Sequence, residues 1–97
     1  MNESKLEIEP NGTRAWRLPN GECHRLDGPA LITPDGTQGW AINGKPHRID
    51  GPALIAPGGL YEWYINGERY NFKNFCKKVK PLIPENDYFV LILTYHS

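Results

Sequence analysis

A unit of about 23 residues recurs along the chain, and this recurrence restricts the fold more than any other feature. HRLDGPALI begins at His24 and HRIDGPALI begins at His47, and eight of their nine residues are identical. Asn-Gly pairs begin at Asn20, Asn43 and Asn66, which are spaced by the same 23 residues. Self-similarity with a short, fixed period is typical of arrays in which each copy buries its apolar face against its neighbours.

One copy reads as a short apolar strand, a Pro-x-Gly turn, a tryptophan-bearing strand, an Asn-Gly turn and a His-Arg-x-Asp-Gly-Pro link. Asn-Gly between strand-like runs favours a tight hairpin, because a type I′ turn requires positive φ at both central residues. Apolar residues alternate around each tryptophan with the period of a strand. We therefore expect stacked hairpins in which two ladders lie side by side: Trp16, Trp40 and Trp63 beside Ile8, Ile32 and Ile55.

The repetition ends at Tyr70, which stands where the third copy would place the residue equivalent to His24 and His47. The apolar residues that follow have the i, i+3, i+4, i+7 spacing of one helical stripe: Phe72, Phe75, Cys76 and Val79. A helix at this point would cover the open end of the sheet, whose edge would otherwise invite pairing with another chain.

The last apolar run, YFVLILTY from Tyr88 to Tyr95, predicts a buried strand, because it is rich in β-branched and aromatic residues. A short helix that starts near Pro84 is the alternative. The predicted fold class is mainly β with a C-terminal α element: an antiparallel β-meander of tandem hairpins capped by a short helix and a final apolar strand. At 97 residues we expect a single domain over 1–97, with the repeats over 6–71 and the cap over 72–97.

Charge and composition exclude several classes of protein. Eleven basic and eleven acidic side chains cancel, so we do not expect nucleic acid as a partner. The N-terminal MNESKLEIEP lacks the apolar stretch of a signal peptide, and the eight residues of YFVLILTY are too few to span a membrane. We therefore expect a cytoplasmic protein. Cys23 and Cys76 lack metal-ligand spacing, and we expect neither a metal nor a cofactor.

The run PDGTQGWAINGKPHRIDGP, from Pro34 to Pro52, together with its neighbouring copies, resembles the MORN repeat. MORN units are β-hairpins of similar length that carry Gly after the histidine, whereas this chain carries Arg25 and Arg48 there. The HRxDGPA variant is similar to repeats familiar from tailed-phage proteins. The resemblance implies tandem hairpins over residues 6–71. It also implies a phage protein that inhibits a host protein in the host cytoplasm, such as a CRISPR effector or another defence component.

The duplicated His-Arg-x-Asp motif has a functional interpretation and a structural one. In the first, His24, Arg25, His47 and Arg48 line a groove that binds a phosphorylated small molecule or a lipid headgroup. Histidine and aspartate could also act as a general base and the group that orients it.

In the structural interpretation, each aspartate caps the turn before Gly-Pro and pairs with the arginine two residues earlier. Each histidine packs against the tryptophans while one ring nitrogen bonds the backbone. We favour this interpretation, because a structural joint must recur in every copy whereas a catalytic site is needed once. The predicted joint residues are His24, Asp27, Gly28, His47, Asp50 and Gly51.

Signals for catalysis are weak, and we do not expect an enzyme. The chain has no nucleophile elbow, no phosphate-binding GxxxxGK[ST] motif and no cluster of metal ligands. Cys23 and His24 are neighbours on a predicted strand, so their side chains should point to opposite faces.

The expected function is that of a non-catalytic protein-binding module. We expect core packing for the tryptophans, with base stacking as the alternative. The predicted partner-binding residues are Arg17, Arg25, Arg48, Tyr61 and Tyr64. Four lysines, Lys73, Lys77, Lys78 and Lys80, should form the solvated side of the cap helix, and the alternative is that they contact a nucleic acid or an acidic partner surface. Alternatives to protein binding are the small-molecule, phosphate or lipid-headgroup binder and a self-assembling protein that forms a homodimer through an edge strand.

Overall fold

The computed structural model describes residues 3–95, which fold into an antiparallel meander with two helices at its C-terminal end. The strands and helices are β1 (Lys5–Ile8), β2 (Arg14–Arg17), β3 (Leu31–Ile32), β4 (Gln38–Gly39), β5 (Ala41–Ile42), β6 (Lys45–Pro46), β7 (Leu54–Ala56), β8 (Leu60–Ile65), β9 (Glu68–Tyr70), α1 (Phe72–Val79) and α2 (Glu85–Tyr95). Seven strands pair in the order β1-β2-β3-β4-β7-β8-β9, and β5 pairs with β6 separately. The predicted fold class, mainly β with a C-terminal α element, is confirmed.

The Asn-Gly turns differ between the copies. Asn43 and Asn66 adopt φ of 50° and 51°, and the glycines that follow them are also positive, as a type I′ turn requires. In the first copy only Gly21, at φ 90°, is positive. The additional Pro19 lengthens this loop, so the hairpin closes from the Leu18 N–H to the Glu22 carbonyl at 2.8 Å instead.

Each tryptophan lies where its strand passes from the main sheet into the Asn-Gly hairpin. The Trp40 N–H donates to the Ala53 carbonyl at 2.8 Å, and the Trp40 carbonyl accepts from the His47 N–H at 3.1 Å. In the third copy one continuous strand, β8, belongs to both parts: its first half pairs with β7 and its second half pairs with β9. The links that start at the histidines are therefore brought side by side.

The isoleucine ladder forms, but it is not buried. Cross-strand pairing places Ile8, Arg14, Ile32, Gln38 and Ile55 in one row on one face of the sheet. Ile8 is 66% exposed, and the other two isoleucines are half-buried. Polar residues alternate with the isoleucines along the row, so the expected apolar ladder is interrupted at every second strand.

The hydrophobic core lies at the C-terminal end of the meander, between the last hairpin and the helices. Its buried residues are Trp63, Ile65, Phe75, Cys76, Val79 and Leu91. The predicted cap helix is confirmed as α1: the Asn71 side chain accepts a hydrogen bond from the Asn74 N–H at 2.8 Å, and the lysines face outward. Burial of the tryptophans is graded, because Trp63 is buried whereas Trp16 and Trp40 are half-buried.

The prediction of a final strand is wrong, and the alternative of a second helix is confirmed as α2. Pro84 precedes the helix, and Glu85 and Asp87 lie in its first turn, where carboxylates are favoured by the helix dipole. A helix satisfies its own backbone groups without a neighbouring strand. Only Leu91 is fully buried among its residues, so α2 presents an apolar side to solvent. Within residues 3–95, neither helix has the length and apolarity needed to cross a bilayer.

Candidate functional site

The second His-Arg-x-Asp link is organised around the guanidinium of Arg48. Its Cζ lies 3.9 Å from the centroid of the Trp40 ring, a cation–π distance. Its Nε donates to Asp50 Oδ1 at 2.9 Å, and its Nη1 donates to the Pro52 carbonyl at 3.1 Å. A Cβ added at Gly51 would lie 2.6 Å from Cζ, so only glycine leaves room for the group. The arginine thus lies between an aromatic ring and a glycine backbone.

The first link repeats this arrangement. The Cζ of Arg25 lies 4.0 Å from the Trp16 ring centroid, and its Nε donates to Asp27 Oδ1 at 3.0 Å. Its Nη1 reaches the Pro29 carbonyl at 3.2 Å, and a Cβ at Gly28 would lie 3.0 Å from Cζ. The expected Arg–Asp pairing is present in both links. The aspartates accept from the arginines and not, as predicted, from backbone N–H groups of the turn.

The histidines join one copy to the next. His24 Nδ1 accepts a hydrogen bond from the Asn43 N–H, and His47 Nδ1 accepts one from the Asn66 N–H, each at 3.0 Å. The expected bond between ring nitrogen and backbone is therefore present, and it satisfies an N–H in the left-handed turn of the following hairpin. Because Nδ1 accepts, the proton of the neutral ring lies on Nε2. The guanidinium groups of Arg25 and Arg48 cover the faces of Trp16 and Trp40.

The two links enclose a cleft of about 670 Å³ whose lining includes Arg25, Asp27, Trp40, His47, Arg48 and Asp50. Both guanidinium groups are already paired with carboxylates of their own links. An anion entering this cleft would have to compete with those carboxylates at both arginines. The geometry therefore favours the structural interpretation of the motif over the binding of a phosphate.

The remaining predicted partner-binding residues also make contacts within the chain. Arg17 lies 3.5 Å from Glu7 and 3.3 Å from Glu9, and it donates to the Gly21 carbonyl at 3.0 Å. The Tyr64 hydroxyl donates a hydrogen bond to Glu62 at 3.1 Å. The pKa of Tyr64 is raised, mainly by desolvation and further by this bond and by the negative charge of Glu62.

Tyr61 is 42% exposed and packs edge-on against Tyr95 at a centroid distance of 5.0 Å. Tyr61 is therefore the predicted partner-binding residue that contacts α2. The roles of all five in partner binding stay a prediction.

The structure offers no candidate metal site in the part of the chain that it describes. No cluster of three histidine, cysteine, aspartate or glutamate side chains with metal-binding geometry occurs between residues 3 and 95. Burial raises the pKa of the Cys76 thiol, which keeps this cysteine protonated inside the core.

An exposed apolar surface on α2 was missed by sequence reasoning. Phe89, Val90 and Leu93 are 54%, 61% and 74% exposed, and we call these three residues the α2 patch. Their i, i+1, i+4 spacing places them on one side of the helix, away from the buried Leu91. The signal was present in the sequence, because the six consecutive apolar residues from Tyr88 to Leu93 cannot all face one core if they form a helix.

Comparison of the chain with protein-family models, with curated proteins and with solved structures gave no match. The fold and its contacts define the class of the protein: an antiparallel hairpin meander joined by His-Arg-x-Asp-Gly-Pro links and closed by two helices.

Proposed function

We propose that the protein is a non-catalytic protein-binding module that recognises its partner through the α2 patch. The observation that carries this proposal is the exposure of Phe89, Val90 and Leu93 side by side on one helix. Fully burying one such side chain stabilises a complex by about 1.5–3 kcal/mol. Large apolar side chains that are contiguous at a surface are typical of interaction sites.

The surroundings of the α2 patch support a protein partner. The opposite side of α2 is fixed to the core by Leu91, and Tyr95 packs edge-on against Trp63 at 5.2 Å. Glu85 and Asp87 lie in the first turn of the helix and are exposed. A rigid apolar centre with charged residues at its margin is the usual arrangement of a protein interface.

The narrower proposal, a phage-encoded inhibitor of a host defence component such as a CRISPR effector, is supported by the HRxDGPA resemblance alone. The small-molecule, phosphate or headgroup alternative loses support, because the cations it requires at Arg25 and Arg48 are paired within their own links.

The proposal is tested by photo-crosslinking from defined surface positions. A photoreactive amino acid placed at Val90 should crosslink one predominant protein in extract of infected or host cells. The same group at Leu26, which is 62% exposed and lies in the cleft between the links, serves as the control.

The two positions give distinct results. A partner that crosslinks from Val90 and not from Leu26, and that is lost when Leu93→Asp is added, supports recognition through α2. Crosslinking from Leu26 alone would move the interface to the links and contradict the proposal. Thermal unfolding of each variant checks that the fold is retained.

A further inference from the structure

We propose that β1 pairs in antiparallel register with β1 of a second copy of this chain, with Leu6 opposite Leu6 at the two-fold axis. Within residues 3–95 no strand pairs with the outer side of β1, which is the first strand of the sheet. All four of its residues are exposed. This surface lies on the main sheet and is independent of the α2 patch.

The hydrogen-bond pattern shows which backbone groups of β1 point outward. Leu6 faces Trp16 across the β1–β2 pair, and the Trp16 N–H donates away from β1, to the Ala30 carbonyl at 2.8 Å. Leu6 and Trp16 therefore form a non-hydrogen-bonded pair, and the N–H and C=O of Leu6 point to the open edge. By the same alternation those of Ile8 also point outward. A strand that places two such residues at its edge can template a further antiparallel strand.

The side chains of β1 select a second copy as the occupant. Antiparallel pairing centred on Leu6 places Lys5 of one chain opposite Glu7 of the other, and the pair occurs twice by symmetry. Residues directly opposite lie on the same face with Cβ atoms about 4.5–5.5 Å apart, where opposite charges attract. The neighbouring register, centred on Glu7, would instead place Glu7 against itself. The tripeptide Lys-Leu-Glu is therefore complementary to its own antiparallel copy.

The helices at the other end of the sheet, next to β9, restrict assembly to two chains. There α1 packs against β8 and β9, and α2 packs against α1. A two-fold pairing of β1 with β1 uses the same surface on both chains, so it closes after two copies and does not continue into a filament. The α2 patches of the two chains would lie at opposite ends of a continuous sheet and so remain open to partners.

Sedimentation equilibrium of the purified chain tests the proposal. The mass of the wild-type protein should rise with concentration from 11.0 kDa toward twice that value and then stop. Lys5→Glu places glutamate opposite glutamate and should hold the protein monomeric. Lys5→Glu and Glu7→Lys chains, each monomeric alone, should form a heterodimer when mixed, because every cross-strand pair then has opposite charges.

Two further variants keep the test decisive. Glu7 also forms an ion pair with Arg17 of its own chain, so Glu7→Lys removes a contact within the chain as well. Leu6→Pro avoids this effect, because it removes an outward N–H and leaves the hydrogen bonds to β2 in place. Leu6→Pro should be folded and monomeric. A wild-type protein that stays monomeric at every concentration would overturn the proposal. So would a dimer that survives both Lys5→Glu and Leu6→Pro, and loss of that dimer in Leu93→Asp would place the contact at α2 instead.

Discussion

The imidazole of His47 accepts a hydrogen bond from the backbone N–H of Asn66, in the turn of the next copy, at 3.0 Å. The same bond joins His24 to Asn43, again 19 residues further along the chain. A residue pair that recurs in this way connects neighbouring hairpins. The duplicated motif is therefore best explained as the joint of the meander.

Removing the acceptor should destabilise the protein. In His24→Ala the Asn43 N–H loses its part-buried bond to Nδ1, and the loss of such a hydrogen bond costs about 0.5–1.5 kcal/mol. His47→Ala should cost less, because His24 is buried whereas His47 is half-buried. Urea unfolding followed by tryptophan fluorescence measures both free energies. An equal or larger loss in His47→Ala would contradict this ranking.

Gly51→Ala should destabilise the second link. The new Cβ would lie 2.6 Å from Arg48 Cζ, so the guanidinium must shift and weaken its bonds to Asp50 and Pro52, and the loss of one such bond costs about 0.5–1.5 kcal/mol. Gly39→Ala is the matched control, since its Cβ would meet its nearest neighbour, Leu31, at an ordinary 3.9 Å. Unfolding free energies and Trp40 emission report the difference. Similar losses in the two variants would refute the steric explanation.

Arg48→Lys should be almost as destabilising as Arg48→Ala. Lysine keeps the charge but cannot reproduce the planar group that covers Trp40 while bonding Asp50 and Pro52, and the expected loss is about 1–3 kcal/mol. Arg69→Ala, which removes an exposed guanidinium 3.8 Å from the half-buried Glu62, should change the unfolding free energy by less than about 0.5 kcal/mol. Full stability of both Arg48 variants would instead support a ligand-binding role.

Ionisation of Tyr64 should weaken the fold at alkaline pH. Its pKa in the folded chain is raised above 10.0 by desolvation, with Glu62 adding to the shift, so the folded state retains this proton longer than the unfolded state does. Stability from Tyr64 is then fully present below pH 10.0 and is lost as the pH rises through the folded pKa. Tyr64→Phe should lose less stability over that interval. Ultraviolet difference titration measures the pKa, and an identical alkaline loss in wild type and variant would disprove the linkage.

The hairpins and α1 could be predicted from the sequence, because period-two alternation, Asn-Gly turns and one helical stripe are local signals. The α2 helix was not predicted first, since an apolar run reads equally as a buried strand when its periodicity is weak. The stacking of Arg48 on Trp40 depends on how the link folds back, which no spacing reveals. The sequence predicts Gly51 as a joint residue but not the reason for glycine there, which is the close approach of the Arg48 guanidinium.

Recognition through α2 is tested by the affinity of the crosslinked partner for three single variants, measured by calorimetry. Leu93→Ala and Phe89→Ala should each weaken binding by roughly 10-fold to 100-fold, as expected when a buried apolar side chain is lost from an interface. Leu26→Ala, an equally exposed apolar residue in the cleft between the links, should leave the affinity unchanged. Unchanged affinity in both α2 variants, together with a loss of affinity in Leu26→Ala, would contradict recognition through α2. It would indicate that the partner binds at the duplicated links.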